Sequence, residues 1–249
     1  MADHLDLKKT HLTEKKPGCV WRHTKSFEDS RWPECSHRKN AWDYAKANEK
    51  RIFDIPNSRV TLREIELVTG SAFFPTHGGW PGTKRKIASA ENGGWHLEHG
   101  YNFTMSASIP YWHNAHHLIA CGEVQDALDP SEIAIVVAGQ WNINAPVNVM
   151  ILPKQPEVAG LLKLPTHVPP DGKQSHDAYS EQVADGVRKI KDNVQEYKDK
   201  QGHSKEQSYK LAFDSVSNQL RALLVKAGWL EAGVNLDTVS LERINWAKP

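Results

Sequence analysis

The chain has 249 residues, room for one large domain or two small ones. With 39% hydrophobic and 24% charged residues and a mean hydropathy of −0.59, it is excluded from the collagen-like, low-complexity and wholly disordered classes, and no apolar run approaches the ~18–20 residues of a bilayer span. Thirty-one Lys+Arg against thirty Asp+Glu leave a formal charge of +1, so net charge alone selects no partner, nucleic acid included.

In chain order, the start Met1-Ala2-Asp3-His4-Leu5-Asp6-Leu7-Lys8-Lys9 has no apolar stretch behind its charges, and no cleavable signal peptide is expected. Three cysteines, Cys19, Cys35 and Cys121, cannot build a disulfide framework, which points to synthesis in a reducing cytoplasm. The first fifty or so residues, polar and broken by Pro17-Gly18 and Trp32-Pro33, read as an extended or loosely folded arm. Cys19, His23, Cys35 and His37 lie close enough in sequence to hold zinc, but their spacing is far from the usual ligand pattern, and a surface arm with two inert thiols is the alternative. Asn57 to Gly70 reads as a short helix, capped by Ser58, with Leu62, Ile65, Leu67 and Val68 as its apolar stripe. The Gly- and Trp-rich stretch after it, with His77, is loop, and Lys84-Arg85-Lys86 is either a phosphate-backbone contact or a solvated turn. His96 and His99 read as ordinary polar residues.

From Tyr111 the pattern tightens. Tyr111 to Ile119, an aromatic and histidine cluster running into an aliphatic pair, predicts a short strand or strand end. Val124 to Val137 predicts helix, broken in two by the capping sequence Asp129-Pro130-Ser131-Glu132. Pro146 to Pro153 predicts a buried strand, and Leu164 to Gly172 a loop. Tyr179, Val183, Val187, Ile190, Val194 and Tyr197 recur at three- and four-residue steps, predicting a long helix from Ser175 to about Asp199. A second amphipathic helix is expected over Ser204 to Ala227, ending at Gly228.

Thirteen histidines are the first pointer to metal or acid/base chemistry. Neighbours on a strand face opposite sides, so His116 and His117 can divide two jobs, one binding a metal and the other facing a water. Asn148, His167 and His176 follow, and later histidines can complete the metal set once the helix start folds back on the strands. An ion held so stabilises charge on a phosphoryl oxygen while a neutral imidazole removes a proton from water, which describes phosphodiester hydrolysis. The first hundred residues are net basic and the second hundred net acidic. Polyanion binding by the middle segment therefore needs a bound cation or the basic N-terminal third.

Asn114-Ala115-His116-His117-Leu118-Ile119, followed by Asn148-Val149-Met150-Ile151-Leu152-Pro153 and then by His167 and His176-Asp177-Ala178-Tyr179 with Val183, resembles the AHH branch of the HNH/endonuclease VII nucleases, found widely as bacterial polymorphic toxins. The resemblance spans about residues 112–195. It implies an α+β fold, a ββα-metal (HNH-like) nuclease core embedded in additional helices, clasping one divalent cation (Mg²⁺, Mn²⁺, Zn²⁺ or Ni²⁺). His116 and His176 would be metal ligands and His117 the general base. Asn148 would hold the loop and orient that base, and His167 would bind metal or the scissile phosphate. His113, two residues ahead of the motif, would touch a phosphate. Val149 stands where the family usually has glycine, and Tyr179 reads as a core anchor.

The resulting expectation is a metal-dependent endonuclease acting on DNA, a secreted antibacterial effector neutralised by a cognate immunity protein. Residues 1–105 would serve delivery or adaptor and chaperone binding, and residues 106–249 would form the nuclease domain. The effector would be made in a bacterial cytoplasm, exported through a contact-dependent route such as type VI secretion, and active in the target-cell cytoplasm, with no membrane partner. A non-catalytic zinc-binding module and an RNA-directed nuclease on the same core are the alternatives.

Overall fold

A computed structural model of the chain describes residues 60, 62–69, 113–139, 141, 143, 145–167 and 176–246. Lys84, Arg85, Lys86, the Cys19/His23/Cys35/His37 group, His77, His96, His99, the side chain of His113 and the expected boundary near residue 105 lie outside the described residues.

Two short strands form an antiparallel ribbon: β1 (His113–His117) pairs with β2 (Val149–Pro153), with His116 opposite Met150 and His117 opposite Val149. A two-stranded ribbon is at best marginal alone. Here every residue of β2 is buried, so the ribbon belongs to a larger apolar core built by helices, and the described residues are α+β in class. Those helices are α1 (Leu62–Thr69), α2 (Cys121–Ala127), α3 (Pro130–Ala138), α4 (Pro156–Leu162), α5 (Asp177–Gln201) and α6 (Lys205–Leu230). α5 packs on α2 and α6, α6 also packs on α3 and α4, and α4 covers β2 and α1. Tyr179, Val183, Val187, Ile190 and Val194 of α5 are all buried, as their spacing predicts.

Local chemistry explains the element ends. Asp129 Oδ1 accepts from the backbone N–H groups of Ser131 and Glu132, and Glu132 Oε2 accepts from the N–H of Asp129. With Pro130 opening α3, this capping box divides α2 from α3 where the sequence predicted a break. α6 opens on a second box, Ser204 with Gln207.

Three expectations need correction. The described part of α1 is Leu62–Thr69, with Ser58, its expected cap, outside the described residues; of its stripe Ile65 is buried, but Leu67 is 72% and Val68 40% exposed, so these two do not face the core. At 3.6 residues per turn, Leu67 lies about 200° round the helix from Ile65. Second, the strand begins at Val149 instead of Pro146. Pro146–Asn148 is a 3₁₀ turn closed by Asn148 N–H to the Ala145 carbonyl, so Asn148 stands in front of the strand, not inside it. Among the described non-glycine residues only Lys163 has positive φ, so Val149 sits without strain where the family has glycine.

Third, α6 does not end at Gly228 but runs on to Leu230. A Cβ on Gly228 would stand 2.4 Å from the Lys163 carbonyl oxygen and 2.6 Å from the Leu164 nitrogen. Glycine is therefore required there for close backbone approach, where α6 crosses the left-handed end of α4. Helix propensity favours Gly228→Ala by up to about 1 kcal/mol, but a clash with immobile backbone costs about 1–3 kcal/mol. The clash wins, so Gly228→Ala should lower the thermal midpoint by several degrees; an unchanged or raised midpoint in a thermal melt counts against this assignment.

Candidate metal centre

The centre is built around the turn that follows β1. His116 is 3% exposed and His117 half-buried. Directly after them, Leu118 N–H donates to the Asn148 carbonyl at 2.8 Å. The Asn148 side chain, fully buried, grips the same turn: its Oδ1 accepts from Ile119 N–H (3.0 Å) and from Ser217 Oγ of α6 (3.0 Å). Its Nδ2 donates to the carbonyls of Ile119 (2.9 Å) and Ile143 (2.9 Å). From the other side, Tyr179 Oη donates to the Leu118 carbonyl at 2.9 Å. Burial, with the charge of Glu123 adding to it, pushes the Tyr179 phenol well above its ordinary range, so the hydroxyl keeps the proton it donates.

Two further imidazoles reach this turn from later in the chain. His167 N–H donates to the carbonyl of Pro153 at 2.8 Å, which fastens it to the end of β2. His176 stands immediately before α5, its Nδ1 3.2 Å from Ser180 Oγ. The ring centroids of His116, His167 and His176 lie 5.2, 4.9 and 4.9 Å apart in edge-on contacts, and Tyr179 packs against His116 and His176 at 5.2 and 5.7 Å.

This trio fits a metal ion. One ring nitrogen from each histidine falls within 4.8 Å of the others. Tetrahedral nitrogen ligands at ~2.1 Å from an ion sit about 3.4 Å apart, so ring movements on the order of an ångström close the set. The buried Nε2 of His116 has no hydrogen-bond partner among the described residues, although the residue is engaged in other interactions. Burial, reinforced by His176 and Lys154, pushes His167 down to about 3, leaving its ring neutral and able to ligate near neutral pH. An all-imidazole set suits Zn²⁺, Ni²⁺ and other transition ions better than Mg²⁺.

Of the residues singled out in the sequence, the structure therefore gathers His116, His167 and His176. His117 is not part of that group. Asn148 is enclosed in the core, its side chain fully occupied by the turn, Ile143 and Ser217. Tyr179 is the core anchor expected, with a hydrogen bond to the turn in addition. Sequence reasoning passed over Ser217, although a serine four residues after Phe213 and three before Leu220 on a buried stripe was a legible sign of an internal acceptor to satisfy.

Residues 99–220 match the family model AHH, described as a nuclease family of the HNH/ENDO VII superfamily with conserved AHH. No curated protein and no solved structure matches the chain.

Asn148→Ala strands buried donors and acceptors and should cost about 2–4 kcal/mol in denaturant unfolding, and Tyr179→Phe about 1–2 kcal/mol. Because both hold the Leu118–Ile119 turn, the double variant should depart from additivity by at least ~0.5 kcal/mol; strict additivity would mean two independent sites. A second outcome concerns acid. His167 has a folded value near 3 against 6.5 for the exposed group, so its contribution to stability is full above pH ~6.5 and is lost as pH falls from there towards ~3. The metal-free protein should weaken over that window, and His167→Gln should flatten this part of the stability profile.

Proposed function

We propose, on the premise of the match of residues 99–220 to the AHH nuclease family of the HNH/ENDO VII superfamily, that the chain is a divalent-metal-dependent endonuclease whose substrate is DNA. The observation that carries this reading is the meeting of His116, His167 and His176 at one point. Three protein ligands leave one tetrahedral position for water or phosphate, the arrangement of catalytic sites, whereas structural zinc is held by four. That favours an enzyme over a non-catalytic zinc module.

β1, β2 and α5 would play the parts of a ββα-metal core. A bound ion supplies stabilisation of negative charge on the phosphoryl group. His117, next along β1 from a ligand and pointing to the other face, keeps an imidazole for proton transfer from the attacking water. Asn148 and Tyr179 fix the turn behind it, so the base is oriented by backbone that cannot drift. His113, Lys84, Arg85 and Lys86 would supply phosphate contacts.

The biological role we propose is that of an antibacterial effector. It would be made in a bacterial cytoplasm, exported without a cleavable signal peptide, active in the target cell and neutralised by an immunity protein. Residues 1–105 would serve delivery. The resemblance to toxin-associated nucleases supports this role.

Plasmid DNA and total RNA incubated with the protein and Mn²⁺, Ni²⁺, Zn²⁺ or Mg²⁺ should separate the possibilities. Nicking of plasmid, abolished by chelator, is the expected result; cleavage of RNA alone would replace the substrate, and tight metal binding with neither cleaved would leave a binding module. His117→Ala should lose about 10²–10⁴-fold in rate with metal content intact, since a general base contributes about that much. His116→Ala and His176→Ala should lose metal as well. Wild-type rates in His117→Ala would end its assignment as base.

A further inference from the structure

The matched family segment ends at residue 220, yet residues beyond it bond the backbone close to two of the three histidines. After α6 the chain turns back as residues 234–241, including a 3₁₀ turn over Leu236–Thr238 that packs on α5. Two sets of bonds leave this short stretch. In one, Thr166 N–H donates to the Val234 carbonyl at 2.7 Å and Leu236 N–H to the Thr166 carbonyl at 3.0 Å, forming a parallel bridge with Asn235. Thr166 directly precedes His167. In the other, Asp237 Oδ1 accepts from the backbone N–H of Tyr179 at 2.9 Å. That N–H lies in the first turn of α5, three residues after His176, where helical N–H groups have no partner within the helix. Asp237 is in turn fixed by its own N–H, which donates to Asn235 Oδ1 at 3.0 Å.

One four-residue stretch thus grips the chain beside His167 and the helix start beside His176, while His116 is held by the ribbon. We propose that Val234–Asp237 is a brace that sets the spacing of His167 and His176 for the ion, with Asp237 its principal positioning residue. Asp237 stands one shell back from the ligands and acts through the backbone of α5. The bonds are short-range and directional, so losing one end lets the helix start shift by the ångström that separates a closed ligand set from an open one. The inference rests on the proposed metal trio.

The test is titration of the metal-free full chain with Co²⁺, following the visible ligand-field bands as well as affinity, with thermal melts of each metal-free variant. Asp237→Ala should weaken Co²⁺ binding by about 10-fold or more, the loss typical of outer-shell partners, and should alter the bands. Asp237→Asn, which keeps an acceptor for the Tyr179 N–H, should restore affinity to within about two- to three-fold. Gln219→Ala serves as the stability control: it frees the same tail further on, where Gln219 holds both backbone groups of Asn245, and should lower the midpoint while leaving affinity unchanged. Should Asp237→Ala fail to fold, Asn235→Ala is read by the same criteria. Wild-type affinity and bands in Asp237→Ala, or equal affinity losses in Asp237→Ala and Gln219→Ala, overturn the brace. His116→Ala binding Co²⁺ as wild type does would instead overturn the trio, which keeps the two failures distinct.

Discussion

The structure depends first on one buried carboxamide. Asn148 saturates its hydrogen-bonding capacity on Ile119, Ile143 and Ser217, and so ties the turn after β1, the loop before β2 and helix α6 into one unit. A polar side chain with no exposed surface is costly unless its donors and acceptors are used. Once used, it specifies the local geometry more sharply than apolar packing could, because each bond has a direction. The turn it fixes begins one residue after His117, and the tyrosine hydroxyl that completes the clamp belongs to a ring packed against both His116 and His176. Site geometry and core packing are here the same interactions.

Electrostatics around this unit favour neutral imidazoles and an ion. His167 is buried, and burial opposes protonation of its ring, so its lone pair remains available. On the α2–α5 side, a cleft is lined by Glu123, Asp126, Asp177, Glu181 and Asp185, with Arg188 ion-paired to Asp185. A polyanion gains nothing from that surface. Attraction for phosphate must come from a bound cation or from basic residues elsewhere in the chain, as the segregated charge along the sequence already required.

What was legible in the sequence was mostly local. The Asp129-Pro130-Ser131-Glu132 box writes a helix start within four residues, and the spacing from Tyr179 to Val194 writes a helix face. His116, His167 and His176 could be nominated because few residue types ligate metals and their order matched a known pattern; their meeting in space could only be expected. Misreadings arose where one residue has two uses. Glycine ends helices and also permits close contact, and nothing near Gly228 in the sequence reveals that Lys163 crosses there. Proline flanks strands and also opens 3₁₀ turns, which displaced Asn148 from the strand. Asp237 left no trace at all: its partner is a backbone N–H, a group nearly every residue possesses, 58 positions away.

That separation has a consequence for biosynthesis. A chain made from its N-terminus can complete the ribbon, α4 and α5 before residue 237 leaves the ribosome, but Asp237 cannot yet cap α5 nor can Leu236 yet hold Thr166. If Val234–Asp237 is the proposed brace, a nascent chain that has not yet released these residues holds His167 and His176 without the bonds to Thr166 and to the start of α5.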